Sequence, residues 1–218
     1  MHHTTTRRPF ALAGALVTAG LVATGCTKPD GAATPMTGQQ LYAACASCHS
    51  DTGAGNPAIA APSIAGLPAW YVEAQLVKFR TGIRGAHPDD IEGLRMRPMS
   101  RQMMNAGEVT RVSEYVASLA PTKPPKTLDG DATAGAAAYA TCLACHGPNG
   151  AGNEALKAPP IAGQSDWYLL AQLKKFKAGI RGANPKDISG GTMRPMSMTL
   201  ADEQAMKNVV AHISTLSR

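Results

Sequence analysis

The chain has 218 residues, 44% of them hydrophobic but only 5% aromatic, with 17% charged and a formal net charge of +6. Arg7 and Arg8 fall in a leader, and the +4 that remains without them gives no support for nucleic-acid binding. So few aromatic residues leave any small domain in this chain short of material for its core.

The first element in chain order is that leader. Arg7-Arg8 precedes an apolar stretch from Phe10 to Ala23, closed by Thr24-Gly25-Cys26. A charged start, a short apolar run and small residues at its end describe a signal peptide over residues 1–25. The run falls short of the about 20 residues that a membrane span needs. Gly25-Cys26 resembles a bacterial lipobox, although Ala23 stands where leucine is usual. Lipidation would make Cys26 the mature N-terminus and account for the odd one among five cysteines. An ordinary signal peptide with a stray cysteine is the other reading. Residues 26–36, rich in Gly, Ala, Pro and Thr, would be the tether of a periplasmic protein held to a membrane by lipid.

Thr37-x-x-Gln40 has the pattern of a capping box and opens a helix. That helix runs into Cys45-Ala46-Ser47-Cys48-His49. The C-x-x-C-H pentapeptide is the attachment signature of c-type haem. Each thiol adds across a haem vinyl group, and the adjacent histidine is placed to bind iron from one face. A redox dithiol or half a zinc site would use the same cysteines. A second copy, Cys142-Leu143-Ala144-Cys145-His146, stands 97 residues on and makes chance a poor explanation.

The offset of 97 holds through the chain. It links Tyr42 to Tyr139 and Trp70 to Trp167. It also links Gly82-Ile83-Arg84-Gly85-Ala86 to Gly179-Ile180-Arg181-Gly182-Ala183, and Met96-Arg97-Pro98-Met99 to Met193-Arg194-Pro195-Met196. A period of this length is a small domain rather than a solenoid unit. The reading is domain 1 over 36–120, a Pro-rich linker over 121–128, and domain 2 over 129–218. A large apolar ring at the centre of each domain would supply the missing core. Two haems would add four propionate charges and bring the protein near neutrality.

Within domain 1 a middle helix is expected over residues 69–81, with its copy over 166–178, each followed by glycine at the stop. Arg84 and Arg181 follow, either as solvated turn residues or as partners for haem propionates at a domain boundary, where a planar fork suits carboxylates. Met96 and Met99, with Met193 and Met196, are expected in a loop rich in Gly and Pro and are candidates for the second iron ligand. His87 and His212 are not, because their repeat partners are Asn184 and Tyr115. Asn105-x-x-Glu108 reads as a second capping box. It opens a helix whose Val109, Val112, Val116 and Leu119 share one stripe, repeated by Met206, Val209, Ile213 and Leu216. Lys174, Lys175 and Lys177 lie on one helix, as a solvated face or as a docking patch for an acidic partner.

With these motifs in place, the chain resembles the diheme class I cytochromes c of the cytochrome c4 type across both domains and the linker. The resemblance implies an all-α fold of two tandem class I cytochrome c domains, each a few helices around one covalent haem c. Its first and last helices would cross, with Gly38 and Tyr42, and Gly135 and Tyr139, on the crossing face, beside Tyr115 and His212. In that family the methionine ligand stands about seven residues before the last helix. This selects Met193, seven before Leu200-Ala201-Asp202, and by equivalence Met96. Iron would then be held by His49 and Met96, and by His146 and Met193. Pro62 and Pro159 resemble the family proline whose carbonyl holds the imidazole Nδ1–H. The implied function is an exported electron carrier, not an enzyme, between a respiratory reductase and a terminal oxidase. The alternative is the cytochrome subunit of an exported dehydrogenase complex. A diheme peroxidase fits the matched methionines less well.

Overall fold

Eight α-helices and no strand longer than an isolated bridge make up the described residues, four helices in each half. The computed structural model describes residues 1–2 and 34–217. The first half holds α1 (Gly38–His49), α2 (Ala69–Arg80), α3 (Ile91–Ser100) and α4 (Ala106–Ser118). The second holds α5 (Ala132–His146), α6 (Asp166–Lys177), α7 (Ile188–Met198) and α8 (Glu203–Ile213). Arg7, Arg8, the apolar stretch to Ala23 and Cys26 lie outside the described residues. Among those described, no helix is long and apolar enough to cross a membrane.

Side-chain caps set six of the eight helix starts, all but those of α2 and α6. The Gln40 amide N–H donates to Thr37 Oγ1, and the Thr37 N–H donates to Gln40 Oε1 at 2.8 Å, which closes the box at α1. At α4 the Glu108 N–H donates to Asn105 Oδ1, but the Glu108 carboxylate reaches back to the Met104 N–H instead of that of Asn105. Helices α2 and α6 stop at Thr81 and Ala178, and Gly82 and Gly179 turn the chain at φ of 75° and 72°.

The Met-Arg-Pro-Met segments differ from expectation: they are helical, in α3 and α7, rather than loops. Asp90 and Asp187 make this possible, because each side chain accepts the N–H three residues on, from Gly93 and Gly190. Pro98 and Pro195 fall toward the C-terminal ends of these helices, where a missing N–H interrupts the ladder late.

In each half the first helix crosses the last. A Cβ built on Gly38 would stand 2.2 Å from Arg111 O, and one on Gly135 would stand 1.9 Å from Asn208 O. Only glycine permits that approach. Tyr42 meets Tyr115 at 5.2 Å between ring centroids, and Tyr139 meets His212 at 5.1 Å, so both crossings hold the residues expected there. Val109, Val112 and Val116 are buried, as are Met206, Val209 and Ile213, with Leu119 and Leu216 packed at the edges. Each buried valine contributes about 2 kcal/mol. Val210 and its repeat partner Ser113 are also fully enclosed, off the expected stripe.

The two halves, within the single unit Pro35–Arg218, meet through contacts that come in mirrored pairs. Lys78 Nζ lies 2.6 Å from Asp187 Oδ1, and Lys175 Nζ lies 2.6 Å from Asp90 Oδ1. Arg84 donates to Gln172 Oε1 at 2.9 Å, and Arg181 to Gln75 Oε1 at 3.2 Å. Every partner maps onto its mirror by the offset of 97, so the duplicated domains pack as the subunits of a two-fold dimer would.

Candidate haem sites

Helix α1 carries Cys45, Cys48 and His49 to its C-terminal end, and α5 carries Cys142, Cys145 and His146 to the equivalent place. The chain then doubles back. The Gly55 N–H donates to His49 O, the Gly152 N–H donates to His146 O, and single bridges pair Asn56 with Ala61 and Asn153 with Ala158. Tyr42 and Tyr139 fasten the same corner by donating to Ser50 O and Gly147 O, each at 2.7 Å. A Cβ on Gly55 would stand 2.6 Å from the Pro62 carbonyl carbon, so that glycine lets the proline segment close in.

This loop brings Pro62 O within 2.8 Å of His49 Nδ1, and Pro159 O within 2.8 Å of His146 Nδ1. A carbonyl accepts only, so Nδ1 carries the proton and Nε2 is left with a lone pair for a metal. Burial lowers the pKa of both imidazoles, opposed by the hydrogen bonds to Pro62 and Pro159, which favours the neutral ring that ligation needs. Burial, then the neighbouring Cys48, pushes the Cys45 thiol up to about 11, and Cys142 moves the same way.

In the second half one cavity is lined by Cys142, Cys145 and His146 from α5 and by Met193 and Met196 from α7. Leu67, Tyr71 and Gln75 of the first half also reach it, and Gln172 and Arg181 line it too. Apolar walls, two attachment thiols, an imidazole and the Arg181 guanidinium are a lining that would suit a haem c. In the first half Met96 packs against the core, as Cys45, Ile64 and Val72 also do. Met99, partly buried like Met96, takes a 3.6 Å hydrogen bond at Sδ from the Gln102 amide.

Two expectations are corrected. The three lysines of α6 form no free patch. Lys174 pairs with Glu203 at 2.8 Å, Lys175 is 12% exposed between Asp90 and Glu92, and Lys177 donates to the carbonyls of Leu200 and Ala201. Adjacent positions on a helix point about 100° apart, and these three find separate partners. Arg84 and Arg181 are not solvated either. Each is 9% exposed at the domain interface, over the rings of Phe79 and Phe176 at 4.5 Å. Gln75, Gln172, Lys78, Asp90 and Asp187, which build that interface, escaped the sequence reading. Their signal was present, since Gln75/Gln172, Lys78/Lys175 and Asp90/Asp187 all repeat at the offset of 97.

Residues 35–120 and 132–217 each match the family model for cytochrome c. A thiosulfate dehydrogenase electron acceptor of Thiomonas intermedia is 33% identical over 173 residues, covering 74% of this chain and 74% of that protein. Among solved structures, a thiosulfate dehydrogenase (TsdBA) from Marichromatium purpuratum aligns with a TM-score of 0.66 and 31% identity over 83% of this chain. The chain spans only 40% of that longer protein. The cytochrome c4 of Acidithiobacillus ferrooxidans aligns with a TM-score of 0.65 at 25% identity, over 80% of this chain and 99% of that one.

Proposed function

The chain belongs to the cytochrome c family, as two tandem domains carrying two covalent haem c groups, and from that premise we propose that it accepts electrons from an exported dehydrogenase and delivers them to a terminal oxidase. The observation that carries this reading is the pseudo-symmetric interface, which holds the two C-x-x-C-H domains against one another. A donor can then reach one site while an acceptor reaches the other. Relatives described as thiosulfate dehydrogenase electron acceptors support a donor that oxidises a small sulfur oxyanion.

Bound haem supplies a one-electron ferric–ferrous couple. The chain supplies the ligands, His49 with Met96 and His146 with Met193. The packing of Met96 on the first core supports the first methionine there, and the repeat carries the choice to Met193, which lines the second cavity together with Met196. Pro62 and Pro159 orient the imidazoles, and methionine on the other face raises the potential. Histidine and methionine together would leave the iron no open position for substrate, which favours a carrier over a peroxidase. At the N-terminus, Cys26 carries the lipid that holds the protein to a membrane on its periplasmic side.

The test mixes oxidised protein anaerobically with thiosulfate and a thiosulfate dehydrogenase, then adds a haem–copper oxidase. Full reduction of both haems, followed by rapid reoxidation, is expected. Reduction only by a quinol-fed respiratory reductase would move the protein to the other branch of the chain. Met193→Ala should remove about half of the far-red charge-transfer band of methionine-ligated ferric haem, and Met196→Ala should leave it. Mass spectrometry of the mature N-terminus should find a diacylglyceryl-cysteine at Cys26.

A further inference from the structure

Two guanidinium groups lie in the interface without an anion. Arg84 Nη1 donates to Gln75 Oε1 at 2.9 Å, and its Nη2 donates to Gln172 Oε1 at 2.9 Å and to Tyr168 Oη at 3.2 Å. Arg181 donates to the same two glutamine oxygens, at 2.8 Å and 3.2 Å. Both cations therefore share the same pair of neutral acceptors. Neither has a carboxylate within ion-pair distance among the described residues, since Asp90 and Asp187 are taken by Lys175 and Lys78. The Nε of each arginine is buried and makes no hydrogen bond.

Two buried like charges, hydrogen-bonded only to amide oxygens and a phenol and with Asp90 acting on Arg84 from beyond ion-pair distance, are a costly arrangement. A ring face returns only part of what a buried cation loses on leaving water. The cluster also has a direction. Gln75, Gln172, Tyr168 and Arg181 all line the cavity that holds Cys142, Cys145, His146 and Met193. Each haem c brings two propionates, and the planar arginine fork, with Nε as one of its donors, is shaped for a carboxylate.

We propose that Arg84 and Arg181 form one carboxylate cradle shared by the two haems, holding a propionate from each and setting both reduction potentials together. The pseudo-two-fold makes the cradle a single electrostatic unit. A cation beside a haem disfavours the ferric state, so loss of either arginine lowers potential. Because the two glutamines tie both arginines together, loss of one is felt at both irons.

The test is spectroelectrochemical titration of the full protein with two haems attached, as wild type, Arg84→Gln and Arg181→Gln. Haem stoichiometry by pyridine haemochrome comes first and separates failure of attachment from failure of the cradle. The expected result is a tenfold or larger shift of the reduction equilibrium toward ferric at the nearer haem, about 59 mV for one electron. A smaller shift of the same sign is expected at the other haem. Domains that loosen on heating while both reduction equilibrium constants stay within twofold of wild type would reduce the arginines to interface glue and overturn the proposal. A shift confined to one haem overturns the sharing. Redox-difference infrared spectra of wild type labelled with 15N-arginine read the same contact without a substitution. Guanidinium bands that move on reduction support the cradle, and silent bands overturn it.

Discussion

Replacing Lys175 with methionine removes one cation from the domain interface and leaves Asp90 behind. Asp90 is 4% exposed and Lys175 12%, so the pair is largely dehydrated. Truncating one partner of a buried pair costs about 3–5 kcal/mol, mostly from the stranded charge. Asp90 keeps its hydrogen bond from the Gly93 N–H, which places the expected loss near the lower end, about 3 kcal/mol. In a body of this size that lowers the melting temperature by roughly 6–12 °C. Asp90→Asn retains the helix cap, since Asn and Asp cap equally well, and so isolates the charge. In a double-mutant cycle, Lys175→Met with Asp90→Asn should lose about 2 kcal/mol less than the two single losses added. The assay is urea unfolding followed at the haem Soret band, with hydrodynamic radius as a check on domain separation. The mirrored pair supplies an internal replicate. Lys78→Met strands Asp187, which is 2% exposed, and Lys78 has Ser189 Oγ where Lys175 has Glu92. A coupling under about 0.5 kcal/mol at both pairs would refute the claim that these contacts hold the haem sites in register.

Three further expectations follow from the packing. Gly135→Ala at the α5–α8 crossing places a Cβ 1.9 Å from Asn208 O. Despite the helix preference for alanine, it should destabilise by about 2 kcal/mol in thermal melts. Ser113 is fully enclosed with an unpaired hydroxyl where its repeat partner is Val210, so Ser113→Ala should raise the stability of the first domain by about 1 kcal/mol in urea titrations. Asp166 accepts hydrogen bonds from Thr127 and Leu128 of the linker and from the Trp167 N–H; burial raises its pKa, but these bonds outweigh that and hold it below the ordinary aspartate value. A depressed carboxyl stabilises the fold above its unfolded pKa of about 3.9 and loses that stabilisation as pH falls through the folded value. Asp166→Asn should therefore be less stable at pH 7 and show a shallower loss of stability below about pH 4.

The haem sites were legible in the linear chain because their chemistry is local. Thioether attachment and imidazole ligation need C-x-x-C-H in consecutive positions, and one helical turn delivers them together at Cys45 to His49. The duplication was legible because every landmark kept its offset. Helix crossings were legible through Gly38 and Gly135, since no other residue fits a contact of this closeness. The helical state of the Met-Arg-Pro-Met segments was not. It depends on caps from Asp90 and Asp187, whose carboxylates also answer lysines more than eighty residues away. The same holds for Lys175, Arg84 and Arg181. A lysine or arginine reads as solvated until a second domain arrives with the carboxylate or amide that makes burial tolerable. Sequence fixed what each domain must bind, because covalent geometry acts over a few residues. Only the tertiary structure decided how the two haem sites face one another, because long-range charge pairing is set by the twofold packing of the halves.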